Sequence, residues 1–198
     1  MEEKVVHALI DMKGTKGTFT FSQVSPFDVT EVRVNLMNTK NLTRTYHVHQ
    51  FPMPESRSTE EDVCSHDNVG DHWNPHKVTV SDPAYPHGPG ATHDMYEVGD
   101  LSGRHGSLDN ISDVEQFFSD WNLPLFGTNS IVGRSVVIHQ SNGARLLCGT
   151  IGYPGEVTEV SWSIHSHRTG EDIQECSDVG DQFNPFNISS EVSCFPFL

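Results

Sequence analysis

Histidine is the residue type in this chain whose number and spacing point most directly to chemistry. The 198 residues include 12 histidines, as many as the 12 lysines and arginines together. His47 and His49 alternate in a strand-like segment, and the two-residue period of a strand places both imidazoles on one face. His72 lies in the loop-like segment Gly-Asp-His-Trp-Asn-Pro, and His139 ends the apolar run Val-Val-Ile.

Four neutral imidazoles that converge from separate strands and a loop suit a metal ion. Copper(II) accepts a tetragonal arrangement of nitrogen ligands, and zinc accepts a tetrahedral one. The alternative is that each histidine is an exposed or capped residue without a ligand role. The residue types and their spacing leave these interpretations open.

The elements that would position these histidines are predicted to be short β-strands. Short alternating segments are separated by Gly, Pro, Asn and Asp clusters, and no stretch keeps a helical period over a dozen residues. The predicted strands are 5–12, 18–23, 30–37, 45–51, 134–139, 146–151 and 159–165. Residues 13–17 predict a tight turn, whereas 111–121 fits either a helical turn or a strand. The predicted fold class is all-β.

A long loop and the cysteines indicate how such a sheet would be held. Residues 52–106 are rich in Pro, Gly, His and Asp, and a loop of this length is expected to be functional or fixed by a disulfide or a metal. The even number of cysteines fits two disulfides, and three Asn-x-Ser/Thr sequons fit glycosylation. Together they predict an extracellular or cell-surface setting. The cysteines are Cys64, Cys148, Cys176 and Cys194, and the sequons begin at Asn41, Asn110 and Asn187.

The charge balance excludes several partners. With 12 basic and 27 acidic residues the net charge is −15, so no positive field favours nucleic acid or an anionic membrane. The apolar runs are too short for a membrane span.

The C-terminal part of the chain repeats an earlier part in shortened form. The His-x-His pair at 47–49 recurs at 165–167, and Val-Gly-Asp-His-Trp-Asn-Pro at 69–75 recurs as Val-Gly-Asp-Gln-Phe-Asn-Pro at 179–185. A cysteine precedes the second motif in both copies. We therefore expect a main domain over 1–155 and, over 156–198, a partial degenerate repeat or C-terminal extension.

Five segments, in order, resemble motifs of the copper/zinc superoxide dismutase family. They are His-Val-His-Gln-Phe at 47–51, Gly-Asp-His-Trp-Asn-Pro at 70–75, Val-Gly-Asp-Leu at 98–101, Ile-Val-Gly-Arg-Ser-Val-Val-Ile-His at 131–139 and Gly-Ala-Arg-Leu-Leu-Cys-Gly-Thr-Ile-Gly at 143–152. The resemblance covers about residues 5–155. It implies an eight-stranded Greek-key β-barrel, an immunoglobulin-like sandwich with long loops. It also implies an enzyme that converts superoxide to oxygen and hydrogen peroxide.

The resemblance assigns a role to each matching residue. It implies that His47, His49, His72 and His139 bind copper, and that His72 also carries a proton. It further implies a Cys64–Cys148 disulfide and an arginine at 145 that guides superoxide to the metal.

Two departures resemble the copper-only branch of that family. Glu97 stands where zinc-containing members have a histidine, and only residues 140–144 separate His139 from Arg145, so a long loop is missing. The resemblance then implies that Glu97 and Asp100 orient His72 and that zinc is absent. A zinc site of His87, Asp100 and His72 with Glu97 or His93 remains an alternative. His66, His76, His93 and His105 are predicted to be solvated loop residues, and His7 has no assigned role.

The second copy is similar to a fragment of the tandem copper-only superoxide dismutase repeat proteins, and it departs further from the pattern. It keeps His165 and His167, but Gln182 replaces the counterpart of His72, so no second copper site is expected. Cys176 and Cys194 are candidates for a disulfide of their own. If the repeats are arranged in tandem, neighbouring repeats of a longer chain are expected partners of this segment. Such an arrangement also leaves an alternative function, a non-catalytic repeat module for copper binding, adhesion or scaffolding.

Overall fold

A computed structural model of the chain describes residues 2–39, 42–54, 63–109 and 111–154. Within these ranges it contains seven β-strands, two short α-helices and one 3₁₀ turn, so the predicted all-β class is confirmed. In chain order they are β1 (Lys4–Met12), β2 (Thr15–Gln23), β3 (Thr30–Met37), β4 (Tyr46–His49), α1 (His66–Val69), the 3₁₀ turn (His93–Met95), α2 (Leu101–His105), β5 (Val114–Asp120), β6 (Ser135–His139) and β7 (Arg145–Gly152).

A tight hairpin starts the sheet at the predicted turn. β1 and β2 are joined by Lys13 and Gly14, both with positive φ, and Met12 pairs with Thr15. Positive φ at both central residues is typical of the two-residue turn that matches the twist of paired strands. Apolar residues alternate along β1 and bury one face of it.

The seven strands form one antiparallel sheet that folds back over a shared core. Their order is β4-β6-β7-β1-β2-β3-β5, and β1 pairs with β7 over only two residues. The rings of Phe19 on β2 and Tyr46 on β4 lie 5.8 Å apart, although these strands are four positions apart in the sheet. Both rings are fully buried, together with most of the apolar residues of the other strands. This arrangement is that of a Greek-key barrel.

The described residues contain seven strands rather than the expected eight, and loop segments rather than a strand lie along the outer edge of β4. Val48 on this edge accepts from the backbone N–H of Trp73 at 2.7 Å and donates to the carbonyl of Gly99 at 2.9 Å. The chain then enters α2, capped by Asp100, whose side chain accepts from the backbone N–H of Gly103. Two loop segments and a helix cover this edge, so no strand continues beside β4.

Several expectations fall outside the described residues. They concern the sequons at 41, 110 and 187, the predicted strand 159–165, the second copy with its two histidines and two cysteines, and the division at 155. Among the residues that are described, no helix is both long and apolar enough to cross a membrane.

Candidate metal centre

β4 supplies two of the four histidines. His47 and His49 alternate along the strand with Tyr46 and Val48, whose side chains are fully buried in the core. The period of two turns both imidazoles to the opposite face. Antiparallel pairing of His47 with Val137 on β6 fixes the register. The predicted arrangement of this pair is present in the structure.

The other two histidines come from β6 and from the loop that follows α1. The backbone N–H of His139 donates to the carbonyl of Thr45 at 2.7 Å, which places the end of β6 beside the start of β4. His72 pairs with His49 through an isolated bridge. Gly99, in the segment before α2, packs against both β4 and this loop, because a side chain there would meet the carbonyl oxygen of Val48 at 2.3 Å and the backbone nitrogen of Trp73 at 3.0 Å.

The four imidazoles form one compact cluster. The rings of His47 and His72 stack with centroids 3.9 Å apart, and those of His49 and His139 lie 5.4 Å apart at an angle of 28°. One nitrogen from each residue lies within 4.8 Å of the other three. The structure therefore brings together all four histidines that the sequence singles out.

Three of the rings are oriented by an oxygen atom on one side. These contacts are His49 Nδ1 to the Gly70 carbonyl at 3.0 Å, His139 Nδ1 to the Gly143 carbonyl at 3.1 Å and His72 Nδ1 to Glu97 Oε2 at 2.8 Å. Carbonyl and carboxylate oxygens only accept, so in each ring Nδ1 carries the hydrogen and Nε2 keeps a lone pair.

His47 faces its oxygen partner through Nε2, whereas the other three rings use Nδ1. Its Nε2 lies 3.5 Å from Asp100 Oδ1. Its Nδ1 is buried and has no hydrogen-bond partner within the described part of the chain. A buried nitrogen left without a partner is costly, and a bound metal ion would remove that cost. The free nitrogen of His47 is therefore Nδ1.

Burial keeps the deeper rings in the neutral form that binds metals. Desolvation is the main cause that lowers the pKa of His47 well below its usual value and the pKa of His49 to about 3. It also lowers the pKa of His139. The neighbouring imidazoles add to each shift, because they disfavour another positive charge. An unprotonated imidazole retains the lone pair that a metal needs.

This donor set fits a metal cation that prefers imidazole ligands, as copper does. The Nε2 atoms of His49 and His139 lie 3.2 Å apart, and both carry lone pairs, since each ring donates through Nδ1. Two facing lone pairs repel, and a cation bound by both would remove the repulsion. The cluster offers four neutral imidazole nitrogens, a ligand type suited to copper and to zinc.

Glu97 and Asp100 contact different histidines of the cluster. Glu97 is 7% exposed and holds His72 through Oε2, as expected, while its Oε1 accepts from Asn74 Nδ2 at 3.0 Å. Asp100 was expected to orient His72 as well, but the structure places it beside His47. Its role as the cap of α2 turns its carboxylate toward β4.

Arg145 is tied to the loop that carries His72. Its guanidinium donates to the carbonyls of Gly70 at 2.8 Å and Cys64 at 3.4 Å, and Gly70 also accepts from His49. The predicted disulfide between Cys64 and Cys148 is present and anchors this loop to β7. Desolvation lowers the pKa of Arg145, but an arginine in a protein keeps its charge. The Gly70 carbonyl of this loop therefore holds both the guanidinium of Arg145 and the ring of His49.

A second cluster of charged and histidine side chains contacts the backbone at Glu97 and Val98. It was not predicted from the sequence. Asp120 is buried and accepts from Arg104 Nε and His105 Nε2, each at 2.7 Å, and lies 3.4 Å from His93 Nδ1. Arg104 also donates to the carbonyls of Glu97 and Val98. The prediction that His93 and His105 are solvated loop residues is therefore wrong.

The carboxylate of the second cluster is engaged in hydrogen bonds within the protein. Both oxygens of Asp120 already accept hydrogen bonds, from the side chains above and from the backbone of Asn122, and the charge of Arg104 disfavours a cation. Burial alone would raise the pKa of Asp120, but the hydrogen bonds from His105, Asn122 and Arg104 and the charge of Arg104 outweigh it and lower the pKa to about 2. The cluster fixes the backbone from which Glu97 projects.

The zinc alternative lacks a compact ligand set. His87 is exposed and lines a surface hollow that His47 and Asp100 also line. In the described ranges, His87 belongs to neither of the two clusters of ligand atoms. One Asp100 oxygen accepts from the Tyr85 hydroxyl and the other from a backbone N–H.

Comparisons with known proteins agree on one family. The model of the family described as copper/zinc superoxide dismutase matches residues 15–151. A Cu-Zn superoxide dismutase of Schizosaccharomyces pombe is 31% identical over 169 residues, covering 75% of this chain and 98% of that protein. The cell surface Cu-only superoxide dismutase 5 of Candida albicans is 36% identical over 107 residues, covering 54% of this chain and 40% of that protein. The solved structure of the Candida albicans superoxide dismutase 5 with Cu(II) has a TM-score of 0.60 and 28% identity, and covers 77% of this chain and 93% of that one.

Proposed function

The chain belongs to the copper/zinc superoxide dismutase family, and as a superoxide dismutase it converts two superoxide anions and two protons to oxygen and hydrogen peroxide. We propose that it does so at a single copper ion and without zinc. The proposed ligands are His47 through Nδ1 and His49, His72 and His139 through Nε2. The observation that carries the proposal is the convergence of four free imidazole nitrogens.

Bound copper supplies the one-electron redox chemistry, and the protein supplies geometry, charge and protons. His72 is the proposed proton carrier. Its side chain is 34% exposed, whereas His47 is 11% exposed and His49 is fully buried. Glu97 holds the Nδ1 hydrogen of His72, so Nε2 is the atom at which a proton from solvent can be taken up.

Arg145 is the proposed guide for superoxide. The net charge of −15 repels an anion, so attraction must come from a local cation. The guanidinium of Arg145 is half-buried and fixed by the two carbonyls of the disulfide loop. Because these hydrogen bonds already fix the guanidinium, little side-chain entropy is lost when it attracts an anion to the histidine cluster.

Three features support the absence of zinc from this proposal. The two Asp100 oxygens already accept from Tyr85 and from Gly103. Glu97 is engaged by His72 and Asn74. The cell surface Cu-only relative from Candida albicans is a protein of the same family.

We also propose an extracellular or cell-surface location, supported by the disulfide and by the cell surface relative. The division into a main domain over 1–155 and a partial repeat over 156–198 likewise remains a proposal. The non-catalytic repeat module is not favoured, because the complete histidine cluster is present.

The test is superoxide disproportionation by the copper-loaded protein and by two variants. His72→Gln is expected to lose most of the activity. His76→Gln, at an exposed loop position, is expected to keep it. An inactive wild-type protein with copper bound would contradict the proposed function, and so would equal activities of the two variants.

A further inference from the structure

The hydroxyl group of Tyr85 lies beside the carboxylate behind His47, although no motif singles this tyrosine out. It donates to Asp100 Oδ2 at 2.6 Å and accepts from the backbone N–H of Glu97 at 3.3 Å. Its ring packs edge-on against Tyr96, with centroids 6.1 Å apart. Tyr85 therefore connects the loop before the 3₁₀ turn to the segment that carries both acidic residues.

The contacts of Asp100 show what this hydroxyl does. Oδ2 accepts from Tyr85, and Oδ1 accepts from the backbone N–H of Gly103 at 2.8 Å. With one donor on each oxygen, the carboxylate plane is fixed, and Oδ1 faces His47 Nε2 at 3.5 Å. Losing either donor would let the carboxylate turn about its side-chain bonds.

The partner of His47 differs in kind from the partners of His49 and His139. His49 and His139 are each oriented by a backbone carbonyl, which the fold itself fixes. His47 is oriented by a side chain, and a side chain must itself be held. The buried Nδ1 of His47 keeps its lone pair for a metal only while Nε2 carries the hydrogen, and Asp100 Oδ1 is the acceptor that lies beside Nε2.

We propose that Tyr85 is a positioning residue of the metal centre: its hydroxyl orients Asp100, and Asp100 in turn sets the ring orientation and tautomer of His47. The inference rests on the proposed function, because it assigns Nδ1 of His47 to copper. Partners that hold ligating histidines typically affect metal affinity about 10- to 100-fold when they are changed. Tyr85 acts one contact further out, so a smaller effect of about three- to tenfold is expected.

The tyrosine is suited to remain a donor. Burial is the main cause that raises the pKa of Tyr85 above its usual value, and the hydrogen bond to Asp100 raises it further. The hydroxyl group therefore keeps its hydrogen throughout the neutral and alkaline range in which a superoxide dismutase would be assayed.

Tyr85→Phe tests the proposal, with Tyr96→Phe as the matched control. Tyr96 lies on the same part of the chain, and its hydroxyl donates to the carbonyl of Gly88 and accepts from the N–H of Ala91, so neither hydrogen bond involves Glu97 or Asp100. Both variants lose one hydroxyl group that makes two hydrogen bonds. Thermal unfolding of both variants shows whether either change merely weakens the fold.

The readouts are the electron paramagnetic resonance spectrum of bound copper(II) and copper affinity in competition with a chelator. Tyr85→Phe is expected to change the copper hyperfine splitting and to weaken copper binding about three- to tenfold, while Tyr96→Phe matches the wild type in both. A Tyr85→Phe spectrum identical to wild type, with affinity within twofold, would overturn the inference alone. A wild-type spectrum without nitrogen ligands would overturn the proposed function as well.

Discussion

Replacing Glu97 with glutamine changes the charge at the His72 contact while keeping the shape of the side chain. Glu97 Oε2 accepts from His72 at 2.8 Å, and Oε1 accepts from Asn74 at 3.0 Å. A glutamine offers one accepting oxygen instead of two. Asn74 cannot turn its amide to compensate, because Val78 binds both ends of it through its backbone N–H and carbonyl.

The size of the effect follows from these contacts. Hydrogen bonds to a charged group contribute about 1.5–3 kcal/mol and neutral ones about 0.5–1.5 kcal/mol. The Glu97 side chain is only 9% exposed, so solvent replaces little of the lost interaction, whereas His72 at 34% is partly compensated by water. A net loss of about 1.4 kcal/mol corresponds to a tenfold change in affinity. Glu97→Gln should therefore weaken copper binding about tenfold.

The assay is competition for copper against a chelator at neutral pH. Glu115→Gln is the matched control, because Glu115 is exposed on β5 and the same charge is removed there. The control should bind copper as the wild type does. If Glu97→Gln binds copper within twofold of the control, the carboxylate does not hold His72 as a ligand.

Three further perturbations test other parts of the account. Arg145→Ala should slow superoxide removal more at low than at high ionic strength, since salt screens the attraction of an anion; equal losses at both would exclude guidance by this charge. Replacing Cys64 and Cys148 with serine should lower the free energy of unfolding by about 4.5 kcal/mol in denaturant titrations, because the bridge closes 84 residues. Copper content should also fall in that variant at temperatures where circular dichroism still shows an intact sheet, and parallel loss of both would contradict the anchoring role of the loop. The metal-free protein should lose stability as the pH falls below about 6.5, by up to about 1.4 kcal/mol per unit for His49, since burial lowers the pKa of that residue and only the unfolded chain takes up the proton. Denaturant titrations at pH 7 and pH 5 that give the same free energy would show that His49 is not buried in its neutral form.

The strands and histidine positions could be predicted because their signals are local. The hairpin at Lys13 and Gly14 and the alternation of β1 and β2 follow from turn chemistry and a period of two. β5 could not be told from a helical turn, because Phe117 is 65% exposed while its neighbour Phe118 packs on the core. Apolar residues on both faces remove the periodic signal.

The residues that support the site could not be found in this way. Arg104 and Asp120 lie 16 positions apart in the chain and meet only through the fold. The hydroxyl of Tyr85 reaches Asp100 from a segment with no regular structure. Asp100 itself was expected beside His72, and its place as the cap of α2 moves it to His47, which local spacing does not show.

Activity measured against added copper tests the central claim most directly. Metal-free protein in zinc-free buffer would receive increasing copper, and superoxide consumption would be followed at each ratio. The account predicts that activity rises to a plateau at one copper per chain and that added zinc does not change it. A protein that stays inactive until zinc is supplied, or that needs more than one copper, would contradict a single copper ion held by four histidines.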